Sequence, residues 1–294
     1  MKRTLLPMIT IAIGLILNLA LPIRQGLAVE PVVFADIQRI LDAGTIRVAL
    51  LSRDTAPLIM TDADGALAGS EPDLARDLAK KLGVAVEFVR TADTYDGVVD
   101  IVARKQADIA VYYLTGGVQR ARYVFFTRPY IQQSGRLVYN RSRFAELRRD
   151  YGIEDLRAID DIPAAPRLQF GVIAGSVYET NLERDFPKWP LRGFDSLDKM
   201  MAAVRNGEIF AAMHGGLQID YFMRSNPATA IYVAIDADLR HPDDIRIAIR
   251  PDAPNLLRWV DLYLANHIGV MDDAEIVQRY LHWEQKSPAQ DTVP

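Results

Sequence analysis

The sequence predicts an α/β protein in which a parallel-rich sheet is covered by helices, and two observations predict it. From about residue 36 onward, short β-branched runs alternate with amphipathic helical stretches, the grammar of strand, helix, strand. The chain has 294 residues, half of them hydrophobic, which suffices for two domains with cores of their own. With 34 basic and 38 acidic side chains the net charge is −4, and no basic block stands out, which argues against a nucleic-acid surface. There are no cysteines, so disulfides, thiolate metal sites, a cysteine nucleophile and a lipidated N-terminal cysteine are excluded.

The N-terminus differs in kind. Lys2 and Arg3 precede an uncharged, mostly apolar run from Leu5 to Ile23, followed by Arg24 and Gly26-Leu27-Ala28. This is the layout of a secretory signal peptide over residues 1–28, cleaved after Ala28. An uncleaved membrane anchor is the alternative, weakened by Pro7, Asn18 and Pro22. No later stretch is comparably apolar, so the remainder reads as soluble and exported.

The elements follow in order. Ile37, Ile40 and Leu41 share a helix face that Gly44 ends, and Ile46 to Leu51 reads as a strand. Asp62-Ala63-Asp64-Gly65 has hairpin chemistry. Ser70 is expected to cap a helix with Pro72 in its first turn and Leu74, Leu78 and Leu82 on one face, stopped by Gly83. Strand Val84 to Val89, a helix from about Tyr95 to Lys105 presenting Val98, Val99 and Val102, and strand Asp108 to Tyr112 come next. The middle repeats the pattern. Leu168 to Ile173 is a strand, Gly175-Ser176 opens a helix carrying Tyr178 and Leu182, and Ser196 caps a helix with Leu197, Met200, Met201 and Val204 inward. Gly207 ends that helix before the apolar run Ile209 to Met213, Gly215-Gly216 reads as a helix start, and Ile231 to Ile235 is a strand. Strand Ile245 to Ile249, a helix from about Pro254 and a last helix from about Asp272 complete the chain, with a polar tail over 284–294.

Four stretches stand in an order and spacing that carries a resemblance. They are Gly44-Thr-Ile-Arg-Val; Gly69-Ser-Glu-Pro-Asp73-Leu74-Ala75; Tyr95-Asp96 through Ala107-Asp108; and Thr115-Gly-Gly-Val-Gln-Arg120 through Thr127-Arg-Pro129-Tyr130. Together they resemble the family-3 periplasmic solute-binding proteins, the amino-acid-type receptors of ABC importers, over roughly residues 38 to 283. The resemblance implies a two-lobed clamshell of periplasmic binding protein type II topology. Lobe 1 would hold residues 31–135 and 245–283, and lobe 2 residues 136–244, with ligand closing the lobes and the transporter recognising the closed form. It also implies a periplasmic monomer, a small-molecule ligand bearing a carboxylate, an inner-membrane ABC permease as partner, no cofactor and no nucleic acid.

The same resemblance assigns a site. Arg120 matches the arginine that grips the ligand carboxylate, where a planar guanidinium offers two parallel charge-assisted bonds. Thr115 matches a hydroxyl donor to the same group, and Gly116-Gly117 offers backbone N–H groups, with Gly117 a candidate contact. Ser176 matches the residue that completes the anion site at a helix start, and Tyr95 the aromatic wall. No ring appears in Asp54-Thr55-Ala56-Pro57-Leu58, where the family shows the opposite wall. Gly215, beside His214, stands where the family has the aspartate that pairs with a ligand α-ammonium, and Phe210 replaces another common aspartate. An α-amino acid would then leave a desolvated ammonium unpaired, unless Asp54 or Asp220 substitutes; otherwise the ligand is an anion without an amino group.

Catalytic readings find less to stand on. His214, His241, His267 and His282 form no metal-binding spacing, and there is no Gly-x-Ser-x-Gly elbow and no phosphate loop. Two alternatives stay open: a cleft enzyme, since relatives of this fold include dehydratases, and an accessory protein of a periplasmic quinoprotein dehydrogenase. A transport receptor calls for a small, polar, closable cleft; an accessory protein calls for a poorly formed site and an outer apolar patch.

Overall fold

The computed structural model describes residues 32–62, 64–154, 168–236 and 242–281; the expected signal peptide and the tail lie outside them. The leading helix is α1 (Ala35–Ala43), with Ile37 and Ile40 buried and Gly44 closing it at φ 64. Strand β1 (Thr45–Leu51) is followed by the small hairpin β2 (Met60–Thr61) and β3 (Leu67–Ala68), in whose turn the Asp62 carboxylate accepts from Asp64 N and Ala66 N. Helix α2 (Ser70–Leu82) buries Leu74 and Leu78. The expected cap is corrected here: Ser70 lies inside the helix, and the N-cap is Gly69 at φ 112. A Cβ on Gly69 would stand 2.4 Å from the Leu58 carbonyl oxygen, so the turn admits only glycine and leaves Ser70 to start the helix.

Strand β4 (Ala85–Ala92), helix α3 (Tyr95–Ala103) and strand β5 (Ile109–Thr115) follow, then β6 (Phe125–Phe126). The next two elements, β7 (Ile131–Asn140) and α4 (Arg141–Tyr151), carry no clear signal in the sequence. After them come β8 (Phe170–Ile173), α5 (Val177–Asp185), β9 (Leu191–Phe194), α6 (Leu197–Arg205), β10 (Ala211–Gly215) and α7 (Gly216–Ser225). The described chain ends with β11 (Val233–Asp236), β12 (Pro242–Ile249), α8 (Pro254–Tyr263) and α9 (Asp273–Leu281).

The main path of the sheet runs β4-β1-β5-β12-β7-β10-β8-β9. Its two ends are parallel groups, β4-β1-β5 and β10-β8-β9, and the antiparallel strands β12 and β7 join them. Strand β7 changes partner midway. Ile131 to Ser134 pair with β12, and Gly135 to Tyr139 pair with β10. The two parallel groups therefore meet along a strand that belongs to both, and the C-terminal end of β5 faces the start of α5 and the end of β10 across that seam. Phe210 is fully buried with its ring edge-on to Phe170 at 5.9 Å, so this position serves an aromatic core.

Candidate functional site

Strand β5 delivers two adjacent tyrosines to the seam. In a regular strand neighbours point to opposite faces. Tyr113, however, has φ 43, and the pairing of β12 with β5 shifts register between Arg246 and Ala248. The break in alternation lets Tyr112 line one cavity and Tyr113 line a second. Strained non-glycine backbone of this kind persists where surrounding structure holds it, often at sites.

Helix α3 supplies Tyr95. Thr94 caps the helix, its hydroxyl accepting from Gly97 N at 3.0 Å, and this fixes Tyr95 in the first turn with its ring 5.2 Å from that of Tyr112. Burial pushes the Tyr95 phenol up to about 12 and raises Tyr112 well above its ordinary value, so both stay neutral at pH 7. The paired rings at the seam thus come from α3 and β5, and the 54–58 segment contributes none.

Tyr95, Thr115, Arg120 and Ser176 converge on one void of about 10 Å³. Arg120 Nε donates to Asp96 Oδ1 at 2.8 Å, and Nη1 donates to the Thr115 carbonyl at 3.3 Å. The Arg120 side chain is 15 % exposed against 68 % for Asp96, so a largely buried cation is matched by a carboxylate at the rim. Ser176 sits at the N-cap of α5, its Oγ buried and without a hydrogen-bond partner among the described residues. Gly117 does not line the void; its carbonyl accepts from Ala121 N at 2.9 Å in the turn before Arg120.

At Gly215 the space is occupied. A Cβ there would lie 2.9 Å from Gln133 Nε2 and 3.0 Å from Tyr113 Cε1. The Tyr113 hydroxyl donates to Gln133 Oε1, and Gln133 Nε2 donates to the Tyr178 hydroxyl at 3.2 Å. A neutral, hydrogen-bonded plug from β5, β7 and α5 therefore stands where an aspartate side chain would project. Of the two acids considered as substitutes, Asp54 pairs with Arg90 at 2.9 Å and Asp220 with Arg136 at 3.4 Å, and neither lines the small void.

A larger cavity of about 310 Å³ adjoins, sharing Tyr95 and His214 with the small void. Tyr112, Ile173, Leu197, Gln218 and Phe222 line it, with Arg53, Asp54 and Asp198 also bordering it. His214 is fully buried and burial lowers its pKa to about 4, with Gln218 acting in the opposite direction, so the imidazole is neutral at pH 7. Gln133 and Gln218 are absent from the set the sequence suggests. The helix start at Gly215-Gly216 was the signal for Gln218, which lies one turn into α7 on the face that α7 turns to the cavity.

A family model described as bacterial extracellular solute-binding proteins, family 3, matches residues 46–283. Among solved structures, an ancestral amino acid-binding protein, described as a precursor of cyclohexadienyl dehydratase, is 24% identical with a TM-score of 0.67, over 83% of this chain and 99% of that one. The solute receptor for L-cysteine of Neisseria gonorrhoeae is 22% identical with a TM-score of 0.64, over 86% and 97%. An ancestral arginine-binding protein bound to arginine is 22% identical with a TM-score of 0.64, over 81% and 98%. These likenesses show the fold: a two-lobed periplasmic binding protein of type II.

Proposed function

Because this chain belongs to the bacterial extracellular solute-binding proteins of family 3, we propose that it is a periplasmic receptor that grips the carboxylate of a small organic anion with Arg120 and delivers it to an inner-membrane ABC permease. Membership makes it an extracytoplasmic solute-binding protein. The finer reading adds export by a signal peptide removed after Ala28, a monomeric state, and closure of a lobe of residues 31–135 and 245–283 on a lobe of 136–244.

The observation that supports it most is the cluster around Arg120. A guanidinium held at 15 % exposure, a Ser176 hydroxyl without a partner among the described residues and the hydroxyl-bearing Thr115 surround one void. An incoming carboxylate would compete with Asp96 for Arg120 and gain the Ser176 hydroxyl, in a less hydrated setting where charge-assisted bonds are strong. Amino acids are the ligands named for the solved relatives. In this chain the Tyr113–Gln133 plug occupies the place of the amine-binding acid. An α-ammonium brought there would be desolvated without a counter-charge, so the ligand is a carboxylate lacking an α-amino group.

A thermal-shift screen of the protein, refolded to strip retained ligand, tests this against amino acids, dicarboxylates and keto acids. A carboxylate without an amino group should raise the melting temperature by mass action, and Arg120→Ala should remove the response. A response confined to amino acids overturns the amine-free assignment. A folded sample that answers to no carboxylate overturns the receptor reading.

A further inference from the structure

Resting on that carboxylate reading, we propose that the ligand joins its carboxylate at Arg120 to an uncharged, ring-sized body bearing a hydroxyl, which lies in the 310 Å³ cavity and is recognised by His214 and Gln218.

Three observations carry this. The first is adjacency: Tyr95 and His214 line both the Arg120 void and the larger cavity, so a molecule anchored at Arg120 has only these two side chains to pass to reach the larger space. The second is size and lining. A cavity of ~150 Å³ accepts a benzene ring, and this one is about twice that, walled by Tyr112, Ile173, Leu197 and Phe222. Its charged neighbours stand toward solvent: Asp54 is exposed and paired with Arg90 at 2.9 Å, Arg53 is half-buried with Nη1 donating to the Asp93 backbone carbonyl at 2.8 Å, and Asp198, from the first turn of α6, is exposed. The buried part of the lining, Tyr112, Ile173, His214 and Gln218, is neutral, so a charged group set among those side chains would be desolvated without a counter-charge.

The third observation is a pair of under-satisfied polar atoms. His214 and Gln218 are each 2 % exposed and both line the cavity. They interact with one another, yet among the described residues neither His214 Nδ1 nor Gln218 Oε1 completes a hydrogen bond of regular geometry. Buried polar atoms are almost always well paired, so two under-satisfied atoms facing one cavity point to a bound group. A neutral imidazole offers one donor and one acceptor, and the glutamine carbonyl accepts. A ligand hydroxyl, which both donates and accepts, satisfies this set. The Thr55 and Tyr112 hydroxyls, also on this cavity, are bonded to each other at 3.2 Å.

Calorimetric titration of the refolded full chain with propionate, phenylacetate, para-hydroxyphenylacetate and para-cresol separates the parts. The expected order places para-hydroxyphenylacetate tightest, roughly tenfold or more below phenylacetate in Kd, the ratio expected when a polar site loses its ligand partner. Gln218→Leu should shrink that ratio by about tenfold, and Gln218→Met serves if the first variant lacks a cooperative melt. Propionate binding through Arg120 while ring acids fail overturns the subsite and leaves the carboxylate reading standing. Binding of para-cresol alone, with loss in Gln218→Leu, supports the subsite and overturns the carboxylate reading. Equal affinities for the two ring acids, or no binding of any probe to folded protein, overturns the proposal.

Discussion

Two buried titratable side chains near the site pull stability in opposite directions with pH. Glu71 is fully buried, accepts the Tyr130 hydroxyl at 2.6 Å, and is pushed up by burial to about 7 from a usual 4.5. The folded protein then holds a proton that the unfolded chain releases, so this stabilisation is full below pH 4.5 and is lost as pH rises to about 7. His214 is the reverse: burial lowers it to about 4 from 6.5, and its stabilisation is lost as pH falls through that window. Each shift corresponds to ~3 kcal/mol, so these two largely cancel between pH 4.5 and 6.5, and Asp273, raised by burial to about 7 from 3.8, tips the balance toward stability lost as pH rises. Glu71→Gln keeps an acceptor for Tyr130 and removes one of the two carboxyl arms. The parent's melting temperature should fall as pH rises from 4.5 to 7, and the variant's should fall much less; parallel curves would show Glu71 ionised in the fold. A second test concerns Gly215. Gly215→Asp should cost ~1–3 kcal/mol by overpacking against Gln133 and Tyr113. Adding Gln133→Ala should recover part of that loss in denaturant melts and create a response to α-amino acids. The missing aspartate was legible from the sequence. The glutamine that takes its place was not, because Gln133 becomes a neighbour of Gly215 only through the pairing of β7 with β10.

At the scale of elements, what was legible is what packs by a simple period. The Leu74 and Leu78 stripe of α2, the Val98, Val99 and Val102 face of α3, and the Met200, Met201 and Val204 face of α6 all bury as their spacing predicts. The glycines after α1 and α2 take the left-handed conformation expected of them. Strand β7 escaped because its centre reads Gln132-Gln133-Ser134-Gly135-Arg136, residues that serve the seam rather than a core face. Helix α4 escaped because Leu147 alone is buried along it, leaving no stripe to read. The start of α2 was misplaced by one residue for a local reason: the chain passes so close to Leu58 that a glycine must take the cap position. Gly69→Ala should therefore destabilise by more than ~2 kcal/mol, adding left-handed strain to a backbone clash. Chemical denaturation measures it, and a loss under ~1 kcal/mol, the ordinary cost of a glycine conformation alone, would mean that the turn yields. Thr94→Ala, which removes only the α3 cap, should cost about 1 kcal/mol and also weaken ligand binding, since Tyr95 follows that cap directly.

For the whole molecule, the site's geometry demands motion. A void of about 10 Å³ around Arg120 admits no carboxylate as it stands, so the groups that line it must part before a ligand enters. The lining comes from both sides of the seam, with Thr115 ending β5 and Arg120 following it, and with Ser176 capping α5 after β8 and His214 in β10. Strands β7 and β12 join the two groups, and β7 changes partners between Ser134 and Gly135, which makes that step the place to bend. A covalent lock tests this. A Cβ built on Gly175 lies 3.8 Å from the Thr94 Cβ, within the span of a disulfide, and the chain has no cysteine to interfere. The double variant Thr94→Cys/Gly175→Cys, oxidised, should bind ligand far more slowly than the parent or not at all, and reduction should restore binding. The left-handed backbone at Gly175 strains any side chain placed there, by ~1–2 kcal/mol. That strain opposes oxidation but not the comparison, because the reduced double variant carries it too. Stopped-flow binding with and without reductant reads the difference directly. Equal rates in the two states would mean that ligand reaches Arg120 without the two sides separating, and that the clamshell motion implied by the fold is not the gate.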